Sequence, residues 1–243
     1  MTKMQSLKLQ QIYPEIIDLF QIEIDKFLPA YISFEATSDV DHLNETADSQ
    51  KLTRGTMCTS VDAIIYGKLK NDKKIIIPIE WKYTENYHEE GKADKDYSIE
   101  NRGKEKEGKG KERLRRYSSL ITNSKQLSIK KVDYKNSVYF FEPFYQLMRQ
   151  TLWTEQIIAN KTTETIKSDD YIHVHIVPNE NKELLKYEYP VSKKGMKETW
   201  ESCLTDTNKY KLLQPKDLFA NIDKAKYQTL INYLAERYWN DDE

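Results

Sequence analysis

Apolar residues recur along this chain with two different periods, and the changes of period divide it into candidate elements. Between residues 14 and 31, Ile16, Phe20, Ile24, Phe27 and Tyr31 share one side at helical spacing, and Pro14 suits a first helical turn. Segment 35–55 is polar and rich in turn formers, so irregular structure is expected. Segment 59–69 (TSVDAIIYGKL) is rich in β-formers, Asn71 and Asp72 mark a turn, and 74–83 (KIIIPIEWKY) follows. That succession predicts an antiparallel hairpin. Helical spacing returns over 111–124 and 143–160, and 171–178 (YIHVHIVP) alternates as a strand. Segments 197–204 and 222–239 read as closing helices. The order predicts an α/β (α+β) fold, a small mixed sheet flanked by helices.

Composition narrows the class. The 243 residues carry 38 Lys plus Arg against 39 Asp plus Glu, a formal net charge of −1. Aromatic content of 12%, with 17 Tyr, argues for a real core and against disorder throughout. The length suits a single domain spanning 1–243. Aliphatic runs such as residues 75–77 fall far short of the ~20 apolar residues of a membrane span. Residues 1–10 have no apolar core after their basic residues, so no signal peptide is expected. Cys58 and Cys203 are the two cysteines, without CxxC spacing. A disulfide framework and a cysteine-rich zinc site are thereby excluded, and a reducing cytoplasm is the expected location.

A near-zero net charge predicts no strong whole-protein attraction to nucleic acid, but the charges are unevenly placed. Residues 102–116 hold eight Lys or Arg against three Glu, a local excess of +5. Four of the seven glycines lie between Gly91 and Gly110, so a flexible basic loop is expected at about 88–111. Just after it, GKERLRRYSSL places Arg113, Arg115, Arg116 and Tyr117 together. Cations beside an aromatic ring suit a phosphate backbone with occasional base stacking.

The predicted hairpin carries the candidate chemistry. Asp62 interrupts an apolar strand, and eighteen residues later Glu80 and Lys82 interrupt the next. Residues i and i+2 of a strand share a face, so Glu80 and Lys82 project together, away from Ile79 and Trp81. Asp62 lies across the hairpin from them. Three ionisable groups in an apolar sheet are costly unless paired or bound to a metal. Two carboxylates on adjacent strands offer hard oxygen ligands for Mg²⁺, and the ammonium can orient a water or balance a phosphate. A purely structural ion-pair network is the rival reading.

Asp62 followed by Glu80-Trp81-Lys82 resembles the D…(D/E)-x-K core of the PD-(D/E)xK nuclease superfamily, the restriction-endonuclease-like fold. TSVDAIIYG resembles its first motif strand and IPIEWKYTE its second, although Val61 stands where a proline is common. The resemblance implies a helix, a three-stranded antiparallel meander, a helix and a further strand. The third meander strand is then expected within 54–60 or is short. It also implies a Mg²⁺-dependent nuclease, with Mn²⁺ as the alternative ion, acting on DNA, with RNA left open. Asp62 and Glu80 would bind the metal and Lys82 would assist the attacking water. Two-fold cutting would favour a homodimer.

Such nucleases often add an acid from the first helix. Glu23 falls about 20° from Ile16 at roughly 100° per residue, on the edge of the apolar face. Glu35 is its rival. YQLMRQTLW, with its Q-L-M-R-Q motif, resembles the helix after the core in a bacterial branch of the superfamily, which implies that Gln146 and Arg149 border the active site. His173 and His175 alternate on one strand, and without a third ligand at suitable spacing they read as a polar sheet face. No Gly-rich phosphate loop, serine elbow or dinucleotide fingerprint is present.

Overall fold

The computed structural model describes residues 13–25, 28–46, 58–85, 87, 109–133, 136–219 and 223–238. The hairpin forms as its sequence predicts. Strand β5 (Val61–Leu69) turns through Leu69–Lys73, with Asp72 at φ 64°, into β6 (Lys74–Trp81). The two pair antiparallel with Ile65 opposite Ile77 and Ala63 opposite Ile79.

The segment expected to be the first helix, 14–31, instead holds three short strands, β1 (Ile16–Leu19), β2 (Ile22–Asp25) and β3 (Leu28–Ala30), and β4 (Ile32–Ala36) follows directly. Pro29 lies inside the expected helix, where it would remove a backbone donor and clash with the preceding turn. Ile16, Ile17, Ile22, Ile24 and Ile32 are β-branched and fit a pleated surface better. Tertiary pairing settles the choice. β1 and β4 both line the free edge of β5, with Leu19 opposite Gly67 and Phe34 opposite Ala63. A Cβ on Gly67 would lie 3.3 Å from both Asp18 O and the Leu19 side chain, so glycine permits this close approach. The third antiparallel strand of the core is therefore β4, ahead of β5 in the chain. Residues 58–60 are not strand, and 54–57 lie outside the described residues.

On the other side of β6 the sheet becomes parallel. β7 (Asp170–Tyr171) pairs with the start of β6, β8 (His173–Ile176) pairs with its end, and β9 (Tyr210–Leu213) pairs with β8. The result is a mixed, seven-stranded sheet. Helices α1 (Lys109–Asn123) and α2 (Phe144–Ala159) lie close to their expected positions. They are followed by α3 (Lys182–Leu185), α4 (Met196–Ser202), α5 (Pro215–Phe219) and α6 (Lys224–Tyr238). α1 takes up the last residues of the expected loop; residues 88–108 of that loop lie outside the described residues.

Strand alternation separates two cores. Ile65, Ile75, Ile77, Val174 and Ile176 pack on one face, joined by Ile79, Trp81 and Leu218 of α5. Ile64, Tyr66 and Ile76 face the other way, against Tyr117 and Ile121 of α1, Leu147, Met148 and Trp153 of α2, and Trp200 of α4. The same period puts Glu80 on the α2 side. Among the described residues no helix is long and apolar enough to cross a membrane.

Candidate active site

Glu80 is the centre of the polar cluster. It is 2% exposed, at the end of β6, and α2 packs over it. Its Oε1 accepts from Lys82 Nζ at 2.7 Å and from Gln146 Nε2 at 2.5 Å, while Oε2 accepts from Gln150 Nε2 at 2.6 Å. Gln146 and Gln150 are one turn apart on α2, which is why both amides reach one carboxylate. Across the hairpin, Asp62 Oδ2 accepts the Trp81 N–H at 2.7 Å, and the register continued by one residue sets Asp62 opposite Glu80.

These contacts fix the charge states. Burial, reinforced by the Asp62 charge, pushes the Glu80 carboxyl above its usual range, while Lys82 and the Gln150 amide pull the other way. For Lys82, burial disfavours the ammonium, yet the Glu80 carboxylate and Tyr87 overcome it and raise the pKa. Lys82 is therefore held as an ammonium, a donor rather than a base.

Two further buried polar residues belong to this region, one beside Glu80 and one on the far side of Arg149. His175 on β8 is the direct cross-strand partner of Glu80 and is fully buried, with Nδ1 3.0 Å from the Tyr210 hydroxyl. Burial, the neighbouring His173 and the Lys82 charge push its pKa well below normal, and burial alone takes His173 down to about 4. The polar sheet face expected of these two histidines is thus interior: the Tyr210 ring of β9, the strand beside β8 and one with no strong signal in the sequence, packs against both imidazoles. Glu45 is the second residue, and sequence reasoning missed it. It is 6% exposed in the loop after β4 and accepts from Arg149 Nε at 2.8 Å, from the Tyr117 hydroxyl and from the Thr59 N–H. One carboxylate thereby ties the approach to Asp62 to both α1 and α2. Nothing local marks the Glu45 carboxylate, because the groups that donate to it are distant in the chain.

The expected site residues are distributed as follows. Asp62, Glu80, Lys82 and Gln146 meet at one point. Arg149, on the same helix, points to Glu45 and stacks 5.4 Å from the centre of the Tyr145 ring. Arg113 lies over the same ring at 4.1 Å. Arg115 and Arg116 pair with Glu112 on the exposed part of α1, at 3.0 and 3.2 Å. Tyr117 is fully buried, so its ring packs in the core rather than at a surface. Glu23 sits on β2 opposite Pro29, not on a helix, and Glu35 sits on β4 with φ 50°.

The donors around Glu80 are hard oxygens: Asp62, Glu80 itself and the buried, unpartnered Gln150 Oε1. That chemistry fits Mg²⁺ or Mn²⁺ held by one or two carboxylates and completed by water. Among the described residues no three or more His, Cys, Asp or Glu side chains gather into a metal-binding group.

A mixed sheet flanked by helices, with an Asp on one strand and a Glu-x-Lys on the next, defines a restriction-endonuclease-like domain. The chain belongs to the REase-ARP family, described as "Restriction Endonuclease associating with ARP", whose sequence model matches residues 5–239. No curated protein and no solved structure matches it.

Proposed function

We propose that this protein is a Mg²⁺-dependent nuclease that hydrolyses phosphodiester bonds of DNA. The observation that carries the reading is the convergence of Lys82, Gln146 and Gln150 on a buried Glu80 that faces Asp62 across the hairpin. Asp62 and Glu80 would hold the metal, which when bound polarises a phosphate oxygen and lowers the pKa of a water. The residues of the chain supply the rest. Lys82, fixed as an ammonium, donates to the attacking water or to the oxygens where charge builds up on phosphorus. Gln146 and Gln150 orient the Glu80 carboxylate. Arg113 and Arg149 both lie against the Tyr145 ring of α2 and suit a neighbouring phosphate. Arg115 and Arg116 extend that basic surface along α1. The family description makes ARP a proposed partner, and two-fold cutting would call for a homodimer. The two free cysteines suit a reducing cytoplasm.

The test is cleavage of single- and double-stranded DNA and RNA with Mg²⁺ or Mn²⁺. Asp62→Asn and Glu80→Gln keep the hydrogen-bonding shape and should each lower the cleavage rate by about 10²–10³, while chelation abolishes it. One observation favours a second reading, a nucleic-acid-binding module without hydrolysis: both Glu80 oxygens are already engaged by protein donors. Wild-type protein that binds DNA and cuts none of these substrates would decide for that module.

A further inference from the structure

The carboxylate of Glu45 joins three elements through its two oxygens. Oε1 accepts from Arg149 Nε at 2.8 Å and from the Tyr117 hydroxyl, and Oε2 accepts the Thr59 N–H. These donors belong to α2, to α1 and to the residue three places before Asp62. The loop that carries Glu45 is itself pinned. Asp41 Oδ1 accepts the Glu45 N–H at 3.1 Å, and Asp41 Oδ2 accepts the Thr46 N–H and hydroxyl at 2.7 and 2.6 Å. His42 Nε2 lies 2.6 Å from Glu164 Oε1 and ties the same loop to the segment after α2. A group held from several sides fixes the direction of whatever it binds.

Arg149 is the partner that reaches the surface. Tyr117 and Thr59 are buried, whereas the Arg149 side chain is 26% exposed. Its bond to Glu45 uses Nε alone. The two terminal amino groups have no hydrogen-bond partner among the described residues and retain access to solvent. A guanidinium serving as counter-ion alone gains most by pairing fork to fork with the carboxylate, and this one does not. Arg149 also stands close to the candidate chemistry. It is next to Gln150 on α2 and three residues after Gln146, about 4.5 Å along the axis, and both amides hold Glu80. The Tyr145 ring, 5.4 Å away, flanks the guanidinium.

We propose that Glu45 is a positioning residue for the phosphodiester reaction: it holds Arg149 by Nε so that the two terminal amino groups point as a fork at a phosphate flanking the one at Asp62 and Glu80. This rests on the nuclease reading above and adds to it the residue that aims Arg149. Two parallel N–H···O bonds from a fixed guanidinium match two oxygens of one phosphate. Glu45 acts through Arg149, since both of its own oxygens are taken by protein donors.

The test reads KM for the best-cut of the DNA and RNA substrates over a range of salt, or Kd by fluorescence anisotropy where a strand is bound and not cut. Arg149→Lys keeps a cation for Glu45 and removes the fork. It should weaken binding about tenfold and lower the slope of log affinity against log salt by about one, with the thermal midpoint kept. Glu45→Gln removes a negative charge, which by charge alone would tighten binding to a polyanion. Lost aim of Arg149 predicts the opposite sign, a weakening of about tenfold with the same fall in slope. In the double variant the two losses should not add. A merely structural Glu45 would lower the thermal midpoint and leave the salt slope as it was. Wild type that neither cuts nor binds nucleic acid defeats the nuclease reading and this inference with it. Wild type that does either, while Arg149→Lys leaves affinity and slope unchanged or the two losses add, overturns this inference alone. The Arg149→Lys result decides if Glu45→Gln does not fold.

Discussion

Two adjacent strands bury ionisable groups in the same sheet and treat them in opposite ways. On β6, Glu80 is met by an ammonium and two amides, and Lys82 and Gln150 oppose the rise that burial imposes on its carboxyl. On β8, the neighbouring His173 and His175 leave three of their four ring nitrogens without a partner, and burial keeps both rings neutral. Burial disfavours charge in both places; what differs is that donors reach Glu80 and oppose that penalty, whereas none does at His173. A charge retained at the cost of desolvation is what a reactive site needs, whereas a neutral ring next to it is compatible with simple packing.

The most severe way to break this contrast is to remove one partner of the charged pair. Lys82→Met should leave Glu80 buried without its counter-ion and lower the unfolding free energy by about 3–5 kcal/mol, read by urea denaturation. A loss below about 1 kcal/mol would mean that Gln146 and Gln150 alone satisfy the carboxylate. Acid titration probes the other strand. His173 takes up its proton near 6.5 in the unfolded chain and near 4 in the fold, so between those values the unfolded state binds more protons. Stability is then full above about pH 6.5 and falls as pH drops toward 4, by about 3 kcal/mol from this residue. Glu80 acts in the opposite sense. Its folded pKa is raised from 4.5, so its contribution improves as it is protonated and offsets part of the loss. His173→Leu should flatten the acid limb, and an unchanged limb would assign it to other groups. The smallest effect is expected outside the comparison. Arg115→Ala breaks an exposed pair with Glu112 and should change stability by less than about 1 kcal/mol.

What was legible in the sequence follows from the range of each interaction. The β5–β6 hairpin and α2 rest on local periodicity and a tight turn, so Asp62, Glu80 and Lys82 could be placed on one face; Gln146 joined them only through the family resemblance of YQLMRQTLW. The stretch 14–31 was misread because short β-strands with bends happen to put apolar residues near helical spacing. Pro29 was the available warning. The burial of His173 and His175 leaves no local trace, because the ring that packs on them is Tyr210 of β9: Tyr210–Leu213 is only four residues long and is strand because β8 lies beside it. Glu45 left no signal, since Thr59, Tyr117 and Arg149 lie 14, 72 and 104 residues away.

By itself the sequence determined the periods of the elements, and hence which side chains share a face. It also determined that Asp62, Glu80 and Lys82 interrupt the two apolar strands of one hairpin. Tertiary structure alone decided which elements become neighbours: the docking of β1 and β4 on β5, the pairing of β9 with β8, and the seating of α2 on Glu80. The physical reason is that face and period are set by backbone geometry within a few residues, whereas burial and charge state depend on groups brought together from anywhere in the chain.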